Sequence, residues 1–95
     1  MKFQKAKGSD VTGTSYQGSI MTSLEHLKNV FGTVHYHDSD TDSKTRNEYL
    51  IEFDNGTVAT IYDYKEYRAY HDDEILEFHV GGFSKAALSL VNSTV

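Results

Sequence analysis

The chain has 95 residues and lacks cysteine, proline and tryptophan altogether. Without cysteine there is no disulfide framework, no thiolate metal site and no cysteine nucleophile. No apolar run approaches the roughly 20 residues of a membrane span. Cations are in short supply, with Lys and Arg totalling 9 against 14 Asp and Glu, for a formal net charge of −5. That balance argues against a general binder of nucleic-acid backbone, which normally carries a basic stripe. Known catalytic spacings are missing as well: no Gly-rich phosphate loop, no Gly-x-Ser-x-Gly elbow, no His-Glu-x-x-His. A non-enzymatic protein with no cofactor is therefore expected. The opening residues, Met1 to Lys7, are charged and hold no apolar leader stretch, so cytoplasmic residence is expected. The length suits one domain with a modest core.

The run from Asn47 to Tyr67 is the most informative part of what is present. It reads as two alternating strands joined at Asn55-Gly56, the pair that best tolerates the positive φ angles of a two-residue type I′ turn. A two-residue turn pairs Phe53 with Val58, Ile51 with Thr60 and Tyr49 with Tyr62 on one face, the better core candidate. The other face then carries Glu52 with Ala59, Leu50 with Ile61, and Glu48 with Asp63. The Leu50–Ile61 pair is either a contact surface, through which two copies could dimerise, or a patch under a loop.

Residues 1–13 are polar, cationic and Gly-containing, and are expected to form a flexible N-terminal arm. Residues 14–95 are expected to form a single domain. Residues 14–20 can form a short strand, in which Gly18 marks a bulge or a close backbone approach. Thr22 to Glu25 reads as a capping box with Thr22 as N-cap. The helix it opens carries Leu24, Leu27, Val30 and Phe31 on one stripe and ends at Gly32. Residues 34–37 fit a short strand, and residues 38–46 a polar connection. Ile75 to Val80 alternates, with Leu76, Phe78 and Val80 on one face, and Gly81-Gly82 closes the strand. Ser84 can cap a last helix with Ala87, Leu88 and Val91 inward. The order strand-helix-hairpin-strand-helix gives an α+β fold: a small antiparallel sheet with two helices packed on one face.

Four clusters bear on function. Asp38, Asp40 and Asp42 resemble the start of a calcium loop. However, Ser43 stands where such a loop needs Gly, and Tyr49 where it needs Glu, so a solvated acidic loop is expected. His35 and His37 would share a face if extended and could hold a metal with His71, His79 or Asp38; hydrogen-bonded or solvated imidazoles are the plainer expectation. Gly81-Gly82 before Ser84 could offer N–H groups to an anion, or could simply end a strand and open a helix. Tyr62, Tyr64, Tyr67 and Tyr70 crowd together beside Lys65, Arg68 and His71. Rings that stack bases and cations that pair phosphates are the ingredients of a nucleotide pocket. The same residues suit a protein interface, or ordinary strand packing.

Several segments together resemble a small protein family met in tailed bacteriophages. They are Thr-Ser-Tyr-Gln-Gly at 14–18, Leu27 to Gly32, Glu48 to Phe53 with Asn55 to Lys65, and His79 to Ser84. That family's hairpin reads Glu-Trp-x-Ile-x-Phe-x-Asp-Gly-Thr-Val-Ala-Thr-Ile-Tyr-Asp-Trp-Lys, and its last strand Trp-His-Ile-Gly-Gly. This chain has Tyr49, Tyr64 and Phe78 in place of Trp, and Val80 in place of Ile. The similarity spans residues 14 to about 88 and brings no catalytic residues. It implies a phage accessory protein in the bacterial cytoplasm, a class that often counters host immunity.

Three functions follow as expectations. The first is a ligand-binding protein, a homodimer or higher homo-oligomer, that sequesters a nucleotide immune signal through Tyr62, Tyr64, Lys65, Tyr67, Arg68, His79 and Gly81. The second is an acidic inhibitor of a host defence protein, of anti-CRISPR or anti-restriction type, acting through Asp38, Asp40, Asp42, Glu48, Asp63, Asp72 and Asp73. The third is a small enzyme with His35, His37, His71 or His79 as acid or base.

Overall fold

The computed structural model describes residues 2–37, 45–64 and 71–95. Among them, the strands are β1 (Phe3–Lys5), β2 (Ser15–Ser23), β3 (Tyr36–His37), β4 (Thr45–Phe53), β5 (Val58–Tyr64) and β6 (Ile75–Gly82). They form one antiparallel sheet in the order β1-β4-β5-β6-β2, and β3 pairs β4 further along the same edge as β1. The helices are α1 (Leu24–Phe31) and α2 (Lys85–Thr94), and a short 3-10 turn spans Gly8–Val11. The fold is α+β, as the residue pattern implies.

Alternation chooses the inner face of the sheet. Tyr49, Ile51, Phe53, Ala59, Ile61, Leu76, Phe78, Val80 and Ile20 are all buried there. They form one cluster with Leu24, Leu27 and Phe31 of α1 and Ala87 and Val91 of α2, so both helices cover the same face. Rings interlock within it: Phe3 meets Phe31 edge-on at 4.8 Å, and Phe31 meets Tyr49 at 5.7 Å. The buried Tyr49 hydroxyl donates to the Gly32 carbonyl at 2.8 Å, which satisfies its one polar atom.

The hairpin departs from the expected register by one residue. Gly56 N–H donates to the Phe53 carbonyl, and Phe53 N–H donates to the Thr57 carbonyl, each at 2.8 Å. The loop is therefore Asp54, Asn55 and Gly56, with Gly56 at φ 86°. This is a three-residue connection whose last residue takes the left-handed conformation that glycine adopts without strain. Thr57 N–H donates to Asn55 Oδ1 at 3.0 Å and fixes the turn further. The pairs become Glu52 with Val58, Ile51 with Ala59, Leu50 with Thr60, Tyr49 with Ile61 and Glu48 with Tyr62. A one-residue slip turns a whole strand over. Ala59, Ile61 and Asp63 point inward, and Val58, Thr60 and Tyr62 point outward.

A bulge follows in the same strand pair. Thr45 pairs Tyr64 and Glu48 pairs Tyr62, so Arg46 and Asn47 together oppose Asp63. The fully buried Asp63 carboxylate accepts from Asn47 N–H at 2.9 Å and from Asn47 Nδ2 at 3.1 Å. It supplies the acceptors that a regular ladder would have supplied.

Three other expectations are corrected. The segment read as an arm is built into the sheet: Phe3–Lys5 pairs β4, Ala6 N–H donates to the Leu50 carbonyl at 2.8 Å, and Ala6 is buried. The chain then crosses the outer face toward β2, with the 3-10 turn against β5. Leu50 thus lies 4% exposed on the outer side while Ile61 lies 1% exposed on the inner side. They do not form a pair, and neither can supply a dimer surface. At α1 the N-cap is Ser23 rather than Thr22. Ser23 Oγ accepts from His26 N–H at 3.1 Å, while Thr22 is a buried strand residue opposite Leu76. Gly32 ends the helix and Ser84 caps α2, as expected.

Candidate functional site

The corrected register builds a row of side chains across the outer face. Glu48 on β4 stands opposite Tyr62 on β5, Tyr62 opposite His79 on β6, and His79 opposite Ser19 on β2. Tyr16, one row away opposite Gly81, leans its ring onto His79. Ring centroids are 4.7 Å apart for Tyr16 and His79 and 5.6 Å for Tyr62 and His79. Three rings are thereby contiguous on a face that the helices leave uncovered. Tyr16 is 56% exposed, and Tyr62 and His79 are half-buried.

Local chemistry explains the row. Gln17 is the extra residue of a bulge between Tyr16 and Gly18, where the register against β6 shifts by one. This realises the bulge expected at Gly18. The Gln17 side chain donates to the Gly82 carbonyl at 3.0 Å and pins the bulge. Without the shift, Tyr16 would not share a face with Ser19 and Met21. Gly81 leaves room for the side chain of its cross-strand partner Thr60. A Cβ there would stand 2.5 Å from Thr60 Oγ1 and 3.7 Å from Tyr62 Cε1. Gly82 faces the opposite side, where a Cβ would meet Ala87 Cβ at 2.4 Å. Close packing on both faces therefore accounts for the glycine pair.

Charge around the row is mixed: Glu48 and Glu77 flank it, and Lys85 Nζ donates to the carbonyl of Gln17, next to Tyr16. Glu77 Oε1 lies 3.3 Å from His79 Nε2. Burial, reinforced by the nearby Asp63 carboxylate, raises the Glu48 pKa above the ordinary value. His35 lies elsewhere, packed edge-on against Tyr49 at 5.1 Å, and its Nδ1 accepts from Leu50 N–H at 3.0 Å. Burial, reinforced by Lys5, lowers its pKa. It serves as a hydrogen-bonded structural imidazole.

Of the expected ligand residues, Tyr62, His79 and Gly81 come together. Tyr64 ends β5, but its side chain, like Lys65, Tyr67, Tyr70 and Arg68, lies outside the described residues. So do Asp38, Asp40 and Asp42 and the side chain of His37. Of the remaining acidic residues, Asp63 is buried against Asn47, and Asp72 pairs with Lys28 at 2.8 Å on the surface. Asp73 and His71 are exposed beside Asp72. Tyr16 was missed as a site residue. Only the pairing of β2 with β6 reveals it, and no local motif encodes a pairing between such distant segments.

Among the described residues no cluster of three His, Asp or Glu side chains could hold a metal ion, and no helix is long and apolar enough to cross a membrane. The rings are inclined to one another, by 49° for Tyr16 and His79 and by 63° for Tyr62 and His79, so the arrangement offers a polarisable, creased aromatic surface with hydrogen-bonding groups at its rim. Comparison with models of known protein families, with curated proteins and with solved structures finds no match.

Proposed function

We propose that this chain is a non-enzymatic binding protein that holds a nucleotide on the Tyr16–His79–Tyr62 row. We propose further that it serves a tailed bacteriophage in the host cytoplasm by sequestering a nucleotide immune signal. The observation that carries the binding reading is the contiguity of three rings, at 4.7 and 5.6 Å, on the sheet face that the helices do not cover. Stacking a base on an aromatic side chain is worth about 1–3 kcal/mol. Tyr16, at 56% exposure, keeps most of its surface in water, whereas the rings of the core are buried. The phage setting rests on the resemblance of the hairpin and the His-Val-Gly-Gly strand end. The alternative, an acidic inhibitor, needs its carboxylates displayed together; Asp63 and Asp72 are already engaged within the fold.

Native mass spectrometry with a panel of linear and cyclic nucleotides tests the reading. A stoichiometric adduct whose nucleotide is recovered intact is the expected result. Recovery of a cleaved product would replace the binder by an enzyme, and a bare protein across the panel would reject nucleotide binding.

A further inference from the structure

We propose that Glu48 reads the edge of the bound base, and that the base is guanine. The inference rests on the nucleotide-binding reading above and narrows its ligand. Glu48 is the cross-strand neighbour of Tyr62 on the outer face, in the same row as His79. Adjacent strands lie about 4.8 Å apart. A base lying over the Tyr62 ring therefore brings one edge to the Glu48 carboxylate.

That carboxylate is half-buried, whereas Glu25, Asp54 and Asp73, the other described acids with no side-chain partner, are exposed. Asp63 accepts two hydrogen bonds from Asn47, Asp72 meets Lys28, and Glu77 meets His79. Glu48 is half-buried, yet among the described residues no hydrogen bond or ion pair takes up its oxygens. Those oxygens are not sealed from solvent, since no buried side-chain oxygen among the described residues lacks a partner. The result is an accessible acceptor pair beside an aromatic surface, held at a cost to the fold.

Ligand chemistry then selects. An ionised carboxylate is an acceptor with two oxygens, matched best by two parallel N–H donors. Guanine presents such a pair on one edge, the ring N1–H and the exocyclic amine. Adenine and cytosine set one donor beside a ring acceptor, and uracil sets its donor between two carbonyls. Their acceptors would face the carboxylate and repel it. A site built to pair donors discriminates strongly against analogues that lack them.

Calorimetric titration with GMP, AMP, CMP and UMP tests this on the whole chain. Wild type is expected to bind GMP about tenfold or more tighter than the other three. Glu48→Gln should erase that preference, while Tyr16→Ala should weaken all four alike. Circular dichroism of each variant confirms folding, and Glu48→Gln, which removes a half-buried charge, is expected to fold. If GMP preference survives Glu48→Gln, or if wild type binds the four equally, the role of Glu48 falls while the ring platform stands. If none of the four binds, the role of Glu48 falls, and the nucleotide reading falls with it when the wider panel of linear and cyclic nucleotides also leaves the protein bare.

Discussion

The sheet carries one aromatic cluster on each face, and the two are treated in opposite ways. On the inner side Phe3, Phe31, Tyr49 and Phe53 interlock beneath α1, and the Tyr49 hydroxyl is spent on the Gly32 carbonyl. On the outer side Tyr16, His79 and Tyr62 meet at similar centroid distances, but Tyr16 stays 56% exposed and Glu48 keeps its oxygens unclaimed. The inner cluster is sealed within the core, whereas the outer one is partly open to solvent and is the proposed ligand surface. Substitutions should separate these roles.

Phe78→Ala in the inner cluster should have the largest effect. It should cost about 3–5 kcal/mol, read as a lower urea midpoint, because it empties a site packed by both helices' neighbours. Tyr49→Phe should cost about 1 kcal/mol by removing the hydrogen bond to the Gly32 carbonyl. Burial that pushes the Tyr49 pKa up to about 12 also predicts that its phenol resists alkaline titration followed by absorbance.

Acid should find His35 next. Its pKa is lowered in the fold from the ordinary 6.5, so protonation favours the unfolded chain. Its contribution is complete above about 6.5 and declines as pH falls below that value. Urea melts at pH 7 and pH 5 should show this loss, and His35→Asn, which keeps an acceptor for Leu50 N–H, should lessen it.

Glu48 has the opposite sign. Its pKa is raised, so its ionisation costs stability above the carboxylate range, and that cost disappears as pH falls below the unfolded value. Glu48→Gln should therefore raise stability at pH 7 by no more than about 1 kcal/mol, with no gain near pH 4. The smallest effect on folding belongs to Tyr16→Ala, within about 0.5 kcal/mol. If Tyr16→Ala destabilises as much as Phe78→Ala, the two clusters do not differ in the way described.

Much of this was legible in the chain. Leu76, Phe78 and Val80 alternate, Leu24, Leu27 and Phe31 recur at helical spacing, and Ser84 announces its helix; each signal is local. What was illegible depends on counting or on distance. Asn55-Gly56 is compatible with a two-residue turn and with a three-residue turn that ends at glycine, and the choice decides which of Tyr62 and Asp63 faces inward. Thr22 and Ser23 are both competent caps, and only the pairing of Thr22 with Leu76 settles the matter. Of the site, Tyr62, His79 and Gly81 could be named from residue type. Tyr16 could not, because β2 and β6 are brought together by the sheet rather than by sequence.

The loop of Asp54, Asn55 and Gly56 works like a reading frame. Its residue count, more than its composition, sets the parity of everything downstream in β5. Losing one residue there would be the structural counterpart of a frameshift. Asp63 and Tyr62 would exchange sides, a charge would be driven toward open water, and the platform would be turned into the core. Variation that preserves this protein's surface chemistry is therefore constrained more tightly in the length of the turn than in its residues, Gly56 with its positive φ excepted.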